Sequence, residues 1–391
     1  MTCNALPAVS RWSPVAAVLL VLLTFNLAVQ AQNLSEGSGT NSAPARSIWK
    51  RMKTPNPSDS NALLGLSADS ENDVWSVGDF LSLRFDGKTW TAFSLAQPNQ
   101  GSPNVPGIAA ISPTNVWAVG ETESGSHFGS LIEHFDGTKW AVVRSPQFTS
   151  GSELVKVLAI SANDIFAVGD FNTDKLQSAP LVEHYDGAKW TVVAKPRLKK
   201  GETGILTGIA AISDTDIWAT GTGLLGGAVV FHFDGQRWSR VPFPLSRKVN
   251  QLSAPTAIST NDVWVVGDFT GNDLTNHTLT AHWDGKAWKV VPSPDGGGPG
   301  SGNLLTGVSA ISTTDVWASG FSSDPQLGFL NVVEHWDGTR WKISPIPSHD
   351  PALELLTDIL AFPSGSVFTA GWESPNPSQI NSVIFHTTQG K

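Results

Sequence analysis

The chain has 391 residues, 40% of them hydrophobic and only 15% charged, with 37 Gly, 25 Pro and 16 Trp. That much apolar material excludes global disorder, and abundant Gly, Pro and Trp with little charge favour an all-β chain rich in tight turns over a helical one. A net charge of −9 without a basic stripe argues against nucleic acid as a partner.

At the N-terminus, Arg11 precedes the apolar run Val15–Phe25, "VAAVLLVLLTF", and small residues follow in "AVQAQ" at 28–32. This pattern predicts an export signal over residues 1–31, cleaved after Ala31, and a secreted or periplasmic protein. The run is 11 residues long, well short of the ~20 that a spanning helix needs, so no membrane span is expected after cleavage. The single cysteine, Cys3, lies before the run. The mature chain is therefore expected to carry no disulfide, thiolate metal site or cysteine nucleophile. Residues 32–46, "QNLSEGSGTNSAPAR", read as a flexible leader.

From there on the chain repeats itself. One signature reads DVWSVG at 73–78, NVWAVG at 115–120, DIFAVG at 164–169, DIWATG at 216–221, DVWVVG at 262–267, DVWASG at 315–320 and SVFTAG at 366–371. A second follows the first six: FDGKTW at 85–90, FDGTKW at 135–140, YDGAKW at 185–190, FDGQRW at 233–238, WDGKAW at 283–288 and WDGTRW at 336–341. A third, of the type "TGIAAIS" at 207–213, precedes each. The copies are 42 to 53 residues apart. Each unit resolves into four short strands, A to D. Strand A is the "GIAAIS" type and strand B the "DIWATG" type. Asp-Gly turns strand C into strand D, which predicts a hairpin with both turn residues at positive φ. Strand B is apolar on both faces, as expected for sheets stacked face to face. Four-stranded units at this spacing predict a propeller.

The paired "DVWAVG…EHWDGTxW" pattern resembles the repeats of secreted bacterial β-propellers of the broad Asp-box and kelch-like kind, over about residues 47–391. The resemblance implies architecture rather than activity. Asp and Gly are adjacent here, as in Asp86-Gly87, where an Asp-box has one residue between them, and the Gly-Gly pair of kelch repeats is missing.

The seventh unit reaches strand C, "NSVIFHTTQGK" at 381–391, and stops. Trp140, Trp190, Trp238, Trp288 and Trp341 are each followed by five residues and a Pro, and so is Trp49, with Pro55. "SIWKRMKTP" at 47–55 is therefore predicted to be the missing strand D, joining the chain ends. The expected fold is all-β: a seven-bladed propeller of four-stranded antiparallel blades over 47–391, closed by its N-terminal strand.

Function is less legible. The Asp-Gly pairs read as turn chemistry. His134, His184, His232, His282, His335 and His386 recur once per unit. Ring symmetry keeps them from converging on one ion, so hydrogen bonds inside each blade are expected. The recurrent tryptophans read as packing between blades. The lone tyrosine, Tyr185, sits in the Phe/Trp position before Asp-Gly, which argues against a tyrosine nucleophile, and no G-x-S-x-G elbow is present. Two carboxylates in a glycosidase arrangement stay open.

The B–C and D–A connections vary between units and share one face, where binding is expected. Candidate ligand residues there are Asp79, Glu121, Asp170 and Asp268, each following the strand-B glycine, and Trp372, read as a loop residue outside the repeat. Arg197, Lys199 and Lys200 form a basic cluster on that face and read as a solvated loop. The expectation is a monomeric, non-catalytic binding or interaction propeller without metal or cofactor, its ligand a glycan or another extracellular polymer. Two alternatives stay open: a carbohydrate-active hydrolase or lyase using rim carboxylates, and a structural or assembly factor for partner proteins.

Overall fold

A repeat whose second strand is apolar on both faces cannot bury itself alone, so its copies stack. A computed structural model describes residues 48–391 except 97–101, 125–126, 176, 201, 224–225, 246–248, 348–352, 377 and 389–391. The predicted export signal and leader lie outside the described residues. The described residues form seven four-stranded antiparallel sheets and no helix.

Blade 3 is representative. Strand A spans Ser152–Ser161, B Asp164–Asn172, C Ser178–Tyr185 and D Trp190–Ala194, hydrogen-bonded in that order. The seven A strands touch one another in sequence, and strand A of blade 7 (Leu353–Ala361) touches that of blade 1 (Leu63–Ser70). The ring is closed, with the A strands around its centre. All seven blades are accounted for: a seven-bladed propeller.

The seam is built as the spacing of Trp49 predicts. Lys50–Arg51 is the outer strand of blade 7, with Lys50 opposite His386 and Arg51 opposite Phe385. Trp49 is 3% exposed. Its Nε1 donates to Ser344 Oγ at 3.0 Å, and its ring meets Trp317 edge to face at 5.9 Å. Arg51 bridges Glu354 at 3.2 Å and Glu373 at 2.7 Å.

There is no single core. Seven apolar clusters fill the seven gaps between neighbouring blades. In most gaps the strand-B aromatic of one blade packs on the strand-D tryptophan of the next. Trp75–Trp140, Trp117–Trp190, Trp218–Trp288 and Trp264–Trp341 lie 6.0, 5.6, 5.5 and 5.5 Å apart at steep angles. Such edge-to-face pairs add to the burial of the rings themselves.

Two local expectations meet the structure differently. The strand-C histidines bond within their blades: His184 to Asp164 at 2.6 Å, His232 to Asp216, His282 to Asp262 and His335 to Asp315 at 2.8 Å. The Asp-Gly turns, in contrast, are not of the expected kind. Gly87, Gly137, Gly187, Gly235, Gly285 and Gly338 have positive φ, but none of the preceding aspartates does. The connection is four residues long, as between Phe85 and Trp90. Asp86 keeps ordinary φ and its Oδ1 accepts the N–H groups of Lys88 and Thr89 at 2.9 and 2.8 Å.

Candidate functional site

The variable B–C connections are largely hairpin rather than loop. Strands B and C run past the glycine, so Glu121, Asp170 and Asp268 are strand residues, opposite Asn104, Glu153 and Gln251 of their A strands. The same register position holds Thr222 in blade 4, Phe321 in blade 6 and Trp372 in blade 7. Trp372 is thus neither in a loop nor outside the repeat: it lies in Ser366–Asn376 and is 3% exposed.

Side chains two and four residues apart share a strand face. The residue after the glycine therefore points with the strand-B aromatic, toward the next blade. Thr222 shows the outcome: its Oγ1 accepts the Leu252 N–H of blade 5 at 2.9 Å. Glu121, Asp170 and Asp268 are 7%, 0% and 4% exposed. Each belongs to a different gap, and Asp79, one residue past strand B of blade 1, has a pKa that burial pushes up to about 6. The four acids do not converge, and among the described residues no group of three or more His, Cys, Asp or Glu side chains could hold a metal.

Three further acids were hidden by their motif. Glu133, Glu183 and Glu334 on strand C are fully buried. Glu133 Oε2 accepts the Ala96 N–H at 2.8 Å, and Glu183 Oε2 accepts from Ser145 Oγ at 3.3 Å, in each case from the preceding blade. Burial raises Glu133 to about 7, Glu183 to about 8 and Glu334 well above the usual carboxylate range. Glu133 and Glu183 tie blades together, whereas neither carboxylate oxygen of Glu334 has a hydrogen-bond partner among the described residues.

The central channel is crossed by a strut. At one strand-A position, Gly65, Gly107, Gly208, Ala254 and Gly307 stand opposite the residue just before the strand-B glycine. Adjacent blades approach closely there: a Cβ on Gly65 would lie 2.6 Å from the Pro106 carbonyl oxygen. Blade 3 has Lys156 at this position and blade 7 has Asp358. These blades are not neighbours, yet Lys156 Nζ and Asp358 Oδ2 are 2.9 Å apart. Asp358 Oδ2 also accepts the Leu66 N–H at 3.1 Å.

A recess lies where the packing rule is broken. Blade 3 carries Phe166 in place of the strand-B tryptophan. The smaller ring leaves Trp238 of blade 4 without an aromatic partner across the gap among the described ring contacts; it keeps Phe233 of its own blade at 5.4 Å. The other strand-D tryptophans are 3–7% exposed, whereas Trp238 is partly exposed. Blade 7 also has a phenylalanine, Phe368, but Phe362 packs against it at 6.1 Å and Met52 reaches Trp90 of blade 1, so that gap is filled. Between blades 3 and 4 an open groove of about 850 Å³ results. Phe166 and Phe231 are in its lining, Val193 and Trp238 form apolar walls, Arg197, Arg237 and Arg240 bring positive charge, and Asp164 and Asp214 bring carboxylates. The groove-lining Asp164 is held by His184. Sequence reasoning assigned Trp238 to the core with its equivalents; the Phe in "DIFAVG" was the visible signal of the exception.

No family model matches the chain, and no curated protein matches it by sequence. Its fold is shared with solved structures. YCF48 bound to a D1 peptide is 14% identical with a TM-score of 0.59, over 91% of this chain and 100% of that one. An ulvan lyase of polysaccharide lyase family PL25 is 11% identical with a TM-score of 0.53, over 83% and 94%. The extracellular domain of the hybrid two-component system BT3049 from B. thetaiotaomicron is 10% identical with a TM-score of 0.51, over 86% of this chain and 42% of that one. At these identities the likeness is one of fold.

Proposed function

We propose that this is an exported, non-catalytic binding propeller whose ligand, a glycan or another extracellular polymer, enters the groove between blades 3 and 4. The observation that carries the reading is Trp238, the strand-D tryptophan left partly exposed in a groove while its equivalents are buried. An indole face beside an apolar wall suits the C–H face of a sugar ring, and nearby polar groups fix its orientation. A volume of about 850 Å³ falls within the range of ligand sites. Propellers of related shape include a polysaccharide lyase and a peptide-bound protein, so polymer ligands suit the architecture.

The test is a glycan array with residues 32–391, wild type and Trp238→Ala. Binding that the substitution abolishes, without turnover, supports this reading. Release of cleaved sugar would favour the hydrolase or lyase alternative. Capture of protein partners with no glycan bound would favour the assembly-factor alternative.

A further inference from the structure

Charge is distributed unevenly along the chain. Nine of its 25 Lys and Arg residues but only four of its 34 Asp and Glu residues fall between Lys189 and Lys248. That segment, in a protein of net charge −9, supplies strand D of blade 3 and all of blade 4. The groove is where much of this positive charge is displayed.

The cations differ in availability. Arg240 is occupied by Glu202, and Lys195 lies over the rings of Phe148 and Phe171 at 4.7 and 4.6 Å. Arg197 is exposed and has no ion-pair partner among the described residues. The Arg237 side chain is 80% exposed, and its nearest carboxylate oxygen, on Asp234, is 3.9 Å away, beyond hydrogen-bond reach. Two guanidinium groups with unused donors therefore line a groove that also holds a partly exposed indole. Guanidinium forks match carboxylate and sulfate oxygens, and an aromatic face matches a sugar ring.

Resting on the groove as the ligand site, we infer that the ligand is an acidic polysaccharide, its carboxylate or sulfate groups met by Arg197 and Arg237 and one sugar ring stacked on Trp238. A phenylalanine at the strand-B aromatic position stands against a strand-D tryptophan in this gap and, backfilled by Phe362 and Met52, in the gap between blades 7 and 1, so the described residues offer one such site.

The test is calorimetric titration with oligogalacturonate and a sulfated galactan fragment. Each is run beside its neutral counterpart, methyl-esterified or desulfated, with poly-glutamate as an acidic peptide control. One ligand segment per chain is expected, with an acidic form bound at least about tenfold more tightly than its neutral counterpart. Arg197→Gln with Arg237→Gln should remove that preference, so that the acidic form binds no more tightly than its neutral counterpart. Trp238→Ala and Phe166→Trp should weaken both forms. Equal binding of acidic and neutral forms, still sensitive to Trp238→Ala, would overturn the charge assignment and leave the groove reading standing. Glycan binding insensitive to both groove substitutions would overturn the two together. Binding of poly-glutamate alone, or of none of the probes, would overturn the acidic-polysaccharide assignment.

Discussion

The gap between blades 2 and 3 and the gap between blades 3 and 4 are built on one plan and end differently. In the first, Trp117 packs on Tyr185 at 4.8 Å and on Trp190 at 5.6 Å, and Glu183 is sealed beneath Ser145. In the second, Phe166 replaces the indole and Phe231 occupies the position of Glu183. Replacing an indole by a phenyl ring removes volume that neighbouring rigid sheets cannot collapse to recover. A repeat protein tolerates the loss because each blade's layer is largely independent of the others. A recess with a partly exposed tryptophan has thus formed by subtraction from a packing layer.

The comparison breaks most sharply if the two tryptophan roles are not different. Trp117→Ala should cost about 3–5 kcal/mol of unfolding free energy, as should Trp49→Ala at the seam, because both indoles are buried among aromatic partners. Trp238→Ala should cost about 1 kcal/mol, since its ring is partly solvated already. Equal costs by urea denaturation would remove the distinction.

The acid in the tighter gap sharpens it through pH. Glu183 has a folded pKa near 8 against an ordinary value of 4.5, because burial disfavours its charged form. The folded state therefore holds the proton more tightly. The contribution is fully present below about pH 4.5 and is lost as pH rises through 8. Glu133 acts likewise up to about 7. His134 and His386, lowered by burial, oppose this as pH falls through 6.5. Glu183→Gln should flatten the decline in stability between pH 5 and 8 by about 3–4 kcal/mol. Denaturation midpoints across that range with an unchanged slope would show that Glu183 does not titrate in the gap.

Smaller effects follow. Lys156→Met should cost about 1–2 kcal/mol, because the strut is part-buried and the change leaves Asp358 with fewer partners. Phe166→Trp should move stability by less than about 1 kcal/mol while filling the groove. A large loss would mean that the recess is too narrow for an indole.

The number of blades, their strand order and the seam were legible because each rests on a repeated spacing, as Trp49 and Pro55 do. The fate of the acids was not. The position after the strand-B glycine is filled by Asp, Glu, Thr, Phe or Trp, so residue type hid a shared register and made Trp372 look foreign. The hairpin extension that carries this register into the blade gaps leaves no period of its own in the sequence. The groove depends on which blade face Phe166 presents, and on the absence of a backfilling ring such as Phe362. Both are properties of neighbours distant in sequence.

The strut has a consequence for how the molecule comes apart. Blade 7 owns the seam, and its outer strand is only Lys50–Arg51. Fraying there would ordinarily release the blade and open the circle. Asp358 belongs to the same blade and is held from the far side of the circle by Lys156. Peeling the terminal strand therefore does not free the blade, because a second holdfast must be lost before it can swing out. Opening the ring there requires the loss of both seam and strut, not only of the shortest strand among the described residues.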